Sequence, residues 1–393
     1  MPDPLVARMR QFGETIFAEM TRLAVETEAI NLGQGFPDTD GPERLVRAAG
    51  RHLAEGVNQY PPGLGRPELR SAVATDREQR FGLTYDPETE IYVTVGATAG
   101  IAAAVLSLVE AGDEVILLEP MYDSYAAVIA MAGAVCRPVT LRPESDEEQA
   151  RFTFDPDELR AAVGPRTRMM IVNSPHNPSG TVLRQTELDV LAEVCREHDL
   201  IAVTDEVYEH LTFDDTEHIP LASLPGMRQR TLSVSSAGKT FSVTGWKIGW
   251  VMGPSSLVRA VRTVNQFLTF AANGAQQLAV AEAITSEQEW VRGQRQALQS
   301  KRDRLTEGLI KAGLRPYHPQ GTYFVMADIR PLGLTDGVEL ARSLPRTAGV
   351  VTVPAQVFYA NPEEGQHLVR FAFCKQDTVL DEAVRRLTQL PRR

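Results

Sequence analysis

Between residues 91 and 252 one pattern recurs: a short apolar run, then a helix-length stretch with apolar positions every three or four residues. The runs at 91–95, 114–118, 169–172, 201–204, 231–234 and 248–252 predict strands. The stretches at 99–110, 123–132 and 188–198 predict helices between them. Short β-rich runs alternating with helices predict an α/β layer: a mostly parallel sheet covered by helices on both faces. In such sheets ligand groups collect in the loops beyond the strands' C-terminal ends.

After residue 284 the pattern changes. A long charged helical pattern covers 287–312, and its basic positions Arg292, Arg295, Lys301, Arg302 and Arg304 are expected to form a solvated face. Strands are expected at 322–328 and 368–373, and a last helix near 378–390. The pattern therefore divides the chain into an amphipathic arm (1–30) packing with the small domain, a large domain (31–285) and a smaller α+β domain (286–393). The break falls near Ser286. There is no internal repeat or low-complexity segment.

Composition narrows the function. The chain has 393 residues, 43% of them hydrophobic and 23% charged, which is ordinary globular composition. A net charge of −11 argues against a nucleic-acid or anionic-membrane partner, both of which favour basic surfaces. The first ten residues contain no apolar leader, and no run approaches the roughly 18 apolar residues of a spanning helix. Cys136, Cys195 and Cys374 are far apart and form no CxxC, so reduced thiols in a cytoplasmic protein are expected. No His, Cys or carboxylate group has metal-ligand spacing, and no metal is expected. His176 and His210 are expected to be polar packing residues.

The segment SSAGKTFSVTGWKIGW (235–250) carries the first chemistry. Its Gly238-Lys239-Thr240 resembles the end of a phosphate-binding loop, but the glycine that loop needs five positions earlier is Ser233, inside an expected strand. Gly33-Gln34-Gly35 and Gly63-Leu64-Gly65 also fail as dinucleotide fingerprints, because Asp38 and Glu68 stand where the third glycine belongs. Alone, Lys239 would read as an ordinary structural lysine. However, four strand ends carry polar groups: Gly96 to Thr98 opening a helix, Asn173 to Gly180, Asp205 to Tyr208, and Ser235 to Lys239. In a parallel sheet they converge on one edge. An amine, a carboxylate, phenol and amide donors and a hydroxyl-rich helix start together suit pyridoxal 5′-phosphate, which needs a Schiff-base lysine, a ring-nitrogen partner and an anion site.

The stretches NLGQGFPD (31–38), NQYPPGLG (58–65), VTVGATAGI (93–101), EPMYDSY (119–125), NSPHNPSGTV (173–182), TDEVYEHL (204–211), SSAGKTFSVTGWKIGW and HLVRFAFCK (367–375) carry a wider likeness. Over residues 30–390 the chain resembles the class I/II aminotransferases of pyridoxal-phosphate fold type I. It is similar to the kynurenine/glutamine transaminase K group and to actinobacterial N-succinyldiaminopimelate aminotransferases. The resemblance implies the two-domain fold expected above and a homodimer with shared active sites. It also implies transfer of an amino group from an L-amino acid to a 2-oxo acid.

By that resemblance Lys239 is the Schiff-base lysine and Asp205 the partner of the ring nitrogen. Tyr208 and Asn177 reach the ring oxygen, and Tyr122 stacks on the ring. Ala97, Thr98, Ser236 and Lys247 hold the phosphate, with Tyr60 reaching it from the neighbouring subunit. Many relatives carry Arg at the Lys247 position, so this chain keeps the charge but loses the two-pronged donor. Arg370 grips the substrate α-carboxylate beside Gly35 and Asn177, and Phe17 and Phe270 line the side-chain pocket. Lys239, displaced by the incoming amine, becomes the base at Cα, provided that desolvation and Lys247 keep it neutral. The same set would serve a cysteine-S-conjugate β-lyase. A ligand-sensing regulator on this fold would need a DNA-binding module, and only 30 residues precede NLGQGFPD.

Overall fold

The computed structural model describes residues 4–145 and 150–389. The central sheet has seven strands: β1 (Ile91–Val95), β2 (Glu114–Glu119), β3 (Val135–Thr140), β4 (Thr167–Asn173), β5 (Ile201–Asp205), β6 (Thr231–Ser236) and β7 (Ile248–Met252). Their spatial order is β1-β7-β6-β5-β4-β2-β3. The pairs β3–β2, β2–β4, β4–β5 and β5–β6 are parallel, while β7 runs antiparallel to both β6 and β1. The inner strands β2 and β7 are buried along their whole length, as a sheet covered on both faces requires. Each of the six expected strands is present.

The seventh, β3, has no counterpart among the expected strands. Its sequence Val-Cys-Arg-Pro-Val-Thr breaks the apolar run with Arg137 and Pro138, and a central strand would not tolerate Pro138. β3 lies at the sheet edge with β2 as its only neighbour among the described residues, where an unpaired N–H position accepts proline.

Beyond β7 the chain builds a smaller antiparallel sheet. It contains β8 (Arg315–Pro316), β9 (Phe324–Asp328), β10 (Val353–Pro354) and β11 (Leu368–Ala372) in the order β8-β9-β11-β10. The helices Gln288–Lys311 and Asp377–Leu387 accompany it; Leu390, included in the expected last helix, lies outside the described residues. The basic face expected on the long helix is only partly solvated. Arg302 is buried, because its guanidinium turns inward to Asp214 and the Pro319 carbonyl. Helix α1 (Ile16–Thr27) leads into Ile30–Asn31, which pairs in parallel with Val350–Val351, and Glu19 meets Arg342 at 2.8 Å. Among the described residues no helix is long and apolar enough to cross a membrane.

Candidate active site

Strand register brings the first polar groups together. Asn173 ends β4 directly beside Asp205, which ends β5. The Asn173 amide donates to the Asp205 carbonyl (2.9 Å), and its own oxygen accepts from the Asn177 N–H (2.7 Å), so one side chain ties the two strand ends to the following loop. The Asp205 carboxylate is buried and accepts from the Tyr125 hydroxyl at 2.6 Å and the Val207 N–H at 3.2 Å. Burial raises its pKa, against the pull of those donors and of the Lys239 charge. No cation lies within ion-pair distance of it among the described residues.

One strand further, β6 ends at Ser236 and passes into the short helix Ala237–Thr240, which carries Lys239. The Lys239 amine donates to the Tyr323 hydroxyl at 2.8 Å. Burial lowers its pKa to about 8, with the Cys374 thiol and Asp205 opposing and Lys247 and Arg370 reinforcing the shift. Lys247, just before β7, lies against Gly96 at the start of helix α2 (Gly96–Leu108). Gly96 has φ +73, and a Cβ there would stand 3.2 Å from the Lys247 ammonium. No side chain caps that helix, so the free N–H groups of its first turn, around Ala97 and Thr98, open beside Lys247. Such a helix start with a cation beside it is an anion cradle.

Arg370 enters from the smaller sheet, in the middle of β11 between Met326 and Val353. It is 1% exposed and stacks on Phe324, 4.0 Å from the ring centre, with Phe358 and Phe17 at 5.0 and 5.2 Å. Its two terminal nitrogens donate to Asn177 Oδ1 (3.0 Å) and to the Gly33 carbonyl (2.9 Å), and its Nε has no partner. Burial lowers its pKa to about 10. Gly35 lies alongside because a Cβ would strike the Phe324 ring at 2.4 Å.

A cavity of about 350 Å³ joins these groups. Of the residues singled out from the sequence, Lys239, Asp205, Tyr208, Ala97, Thr98, Tyr122, Asn177, Ser236, Lys247, Arg370, Gly35 and Phe17 all line it. Tyr60 and Phe270 do not. They pack edge to face on each other with ring centres 4.9 Å apart, and are 81% and 50% exposed. Tyr323, Tyr125 and Asn173 were not singled out from the sequence. Tyr125 closes the quoted stretch EPMYDSY and Asn173 opens NSPHNPSGTV, but nothing in either stretch marks its contact. Tyr323 lies next to a core strand and reads as packing.

The donor set fits pyridoxal phosphate. Asp205 is a buried carboxylate without a cation partner, as a protonated ring nitrogen requires. Lys239 is an amine of lowered basicity, suited to an aldehyde, and the Gly96–Lys247 corner suits a phosphate. A second cluster, Glu206, Glu209 and His218, brings ligand-type atoms within 4.8 Å although their sequence spacing suggested no metal site. Arg77 lies between the two glutamates there, and every carboxylate oxygen already has a protein partner.

Residues 27–387 match the family of class I and II aminotransferases. Over 397 residues the chain is 51% identical to a probable N-succinyldiaminopimelate aminotransferase of Mycobacterium tuberculosis, covering 99% of both. It is 39% identical to the methionine aminotransferase of Escherichia coli, again covering 99% of both. The solved structure of the mycobacterial N-succinyldiaminopimelate aminotransferase superposes with a TM-score of 0.96, at 51% identity, covering 98% of this chain and all of that one. The chain belongs to the class I and II aminotransferases, pyridoxal-phosphate enzymes of fold type I.

Proposed function

We propose that this aminotransferase acts on N-succinyldiaminopimelate, with Lys239 as its covalent and proton-transferring residue. The observation that carries the catalytic part is the convergence on one cavity of the Lys239 amine, the buried Asp205 carboxylate and Arg370, a cation without a carboxylate partner among the described residues. The substrate rests on the 51% identity to the mycobacterial protein over nearly the whole chain.

In this reading Lys239 holds the cofactor, Asp205 pairs with its ring nitrogen, and Tyr208 and Asn177 reach its ring oxygen. Tyr122 covers the ring face, and Ala97, Thr98, Ser236 and Lys247 hold the phosphate. When bound, the cofactor supplies the electron sink for the pair left at Cα. Arg370, with the Gly35 backbone and Asn177 beside it, grips the substrate carboxylate and turns the Cα–H bond toward Lys239. Nζ is placed to take that proton and, with the cofactor bound, would deliver it to the cofactor carbon. With a pKa of about 8, a useful fraction of the amine is neutral near neutral pH.

Tyr60 and Phe270 enter the same reading through a homodimer, the partner subunit's Tyr60 reaching the phosphate and the partner subunit's Phe270 the side-chain pocket. Their exposure away from this chain's own cavity supports it. Sedimentation should then give a dimer, and Tyr60→Ala should weaken cofactor retention. The division into residues 1–30, 31–285 and 286–393 belongs to this reading, as does a cytoplasmic setting, supported by three free cysteines.

One observation favours a second substrate reading. The only cations lining the cavity among the described residues are Lys239, Lys247 and Arg370, and each already has a role. Phe17, Phe36, Tyr122 and Phe324 line it too, which suits an apolar or aromatic donor such as methionine or kynurenine. A half-reaction screen followed by cofactor absorbance separates the two. N-succinyldiaminopimelate should convert the cofactor at least as fast as methionine, kynurenine or glutamine. Faster conversion by methionine or kynurenine would establish the second reading. Lys239→Ala should abolish conversion by every donor while leaving the chain folded.

A further inference from the structure

We propose that Tyr323 is a positioning residue that holds the free Lys239 amine with its lone pair facing the cavity. The inference rests on the reading of Lys239 as the proton-transferring amine, and deepens it.

The argument is a count of protons. The Tyr323 hydroxyl lies 2.6 Å from the Gly35 carbonyl and 2.8 Å from Lys239 Nζ. A carbonyl only accepts, so the single phenolic proton goes to Gly35. The phenol oxygen then faces Nζ with lone pairs alone, and Nζ must donate to it. A neutral amine has two N–H bonds and one lone pair. With one N–H fixed on Tyr323, the lone pair is kept off the phenol and left to the remaining directions at Nζ, in the cavity that Lys239 shares with Asp205 and Arg370. The charged and titratable groups facing Nζ are Asp205, Tyr208, Tyr323, Cys374, Lys247 and Arg370. Tyr323 is the one that hydrogen-bonds Nζ among the described residues.

Two further observations show that this phenol is held in place. Tyr323 is 1% exposed, with Tyr208 and Phe324 against its ring edge to face at 5.3 and 4.8 Å. The preceding residue, Thr322, has φ +68, and it is the only β-branched residue with positive φ among the described residues. A β-branched residue in that region is strained, and such strain concentrates at functional sites. The loop that accepts the phenolic proton at Gly35 also accepts from Arg370 at Gly33. The carboxylate grip and the amine's orientation therefore share one short piece of backbone.

In the step this serves, the Cα–H bond breaks and an N–H bond forms at Nζ, which becomes an ammonium. The electron pair stays on the substrate side. Tyr323 neither gains nor loses a proton.

Tyr323→Phe removes the acceptor and keeps the ring. In the cofactor-free protein, the pH dependence of Lys239 acetylation by acetic anhydride, read by mass spectrometry, reports the amine directly. Its midpoint should fall by about one unit, because an acceptor stabilises the ammonium more than the amine. In the loaded enzyme the half-reaction should slow about tenfold, as misalignment at the reacting atoms does. The primary deuterium isotope effect at Cα should rise while the donor Kd stays unchanged. An unchanged midpoint and rate, or a change confined to donor Kd, would overturn the proposal. If the Phe variant fails to fold, 3-fluorotyrosine at position 323 keeps the ring and weakens the acceptor; a smaller downward midpoint shift is expected, and no shift overturns the role. Turnover by Lys239→Ala would instead sink the reading of Lys239. An inactive Lys239→Ala beside a wild-type-like Tyr323→Phe would sink only the role of Tyr323.

Discussion

Arg77 and Arg370 are each 1% exposed, yet the fold treats them in opposite ways. Arg77 lies between Glu206 and Glu209, with one terminal nitrogen on each. Thr204 and Ser233 donate to the second oxygen of Glu206, and Ser235 donates to the second oxygen of Glu209. Burial alone would lower the Arg77 pKa and raise that of Glu206. The mutual attraction reverses both, raising Arg77 and, with help from His218, holding Glu206 well below the usual carboxylate range. Each arginine leaves its Nε without a partner among the described residues, but Arg370 has only neutral oxygens at its terminal nitrogens, and burial wins: its pKa falls to about 10. The first arginine is neutralised within the chain. The second is buried as a cation with no ion-paired anion among the described residues, beside a cavity, which is the state expected of a group whose counter-ion arrives with the substrate.

The largest effect should come from breaking the closed cluster. Arg77→Met leaves Glu206 and Glu209 buried without their cation, and removing one partner of a buried pair costs roughly 3–5 kcal/mol. Urea unfolding of the cofactor-free protein should show a loss of that size. Adding Glu206→Gln and Glu209→Gln to Arg77→Met should recover most of it, since the burden is charge rather than shape. A small loss for Arg77→Met would remove one side of the contrast.

Arg370→Gln should do the reverse. Stability should hold or rise, because the change removes an uncompensated buried charge. Activity should fall, because truncating a charged hydrogen-bond donor to a bound anion costs about 2–5 kcal/mol, or roughly 30-fold to 5,000-fold in kcat/KM. If Arg370→Gln unfolds the protein as readily as Arg77→Met, the two arginines do the same work and the comparison fails.

The contrast was half legible in the sequence. Arg370 is assigned through the resemblance carried by HLVRFAFCK, within an expected strand, but nothing in that stretch tells of its burial without an anion. Arg77 lies in a polar stretch of the helix Pro67–Phe81 and gave no sign at all. Its partners are 129 and 132 positions away, so only the fold brings them together. The same reasoning separates Asp205 from Tyr323. Asp205 follows directly from a strand end, and parallel sheets gather strand ends. Tyr323 meets Lys239 across 84 positions and between two sheets, and one tyrosine beside a core strand gives no hint of that contact. The edge strand β3 escaped notice because the features that suit an edge, Arg137 and Pro138, are those that disguise a strand.

Lys239 is a second buried cation on the open side of the contrast, and pH sharpens it. In the unfolded cofactor-free chain its amine titrates near 10.5, and in the folded chain near 8. Between those values the unfolded chain binds more protons, so its contribution to stability grows as pH rises from about 8 to 10.5 and is flat below 8. One proton corresponds to a slope of at most about 1.4 kcal/mol per pH unit. Comparing urea midpoints of wild type and Lys239→Met across pH 7.5 to 10 isolates that slope, which the variant should lack.

The smallest effect should come from Arg370→Lys, which asks whether the site needs a charge or a fork. Lysine keeps the cation but replaces the planar donor pair by one ammonium, which cannot reach Asn177 Oδ1, the Gly33 carbonyl and a carboxylate in the same plane. It also loses the flat stacking on Phe324. A weakening of about tenfold in 2-oxo acid affinity follows if the difference between a two-pronged and a single charged hydrogen bond is roughly 1–2 kcal/mol. Titrating the oxo acid into the cofactor-loaded variants measures it directly. An Arg370→Lys protein that binds as tightly as wild type would mean that the neutral oxygens around Arg370 serve only to park it. A loss as deep as that of Arg370→Gln would mean that the fork, held ready by Asn177 and Gly33, is what the buried charge is there to present.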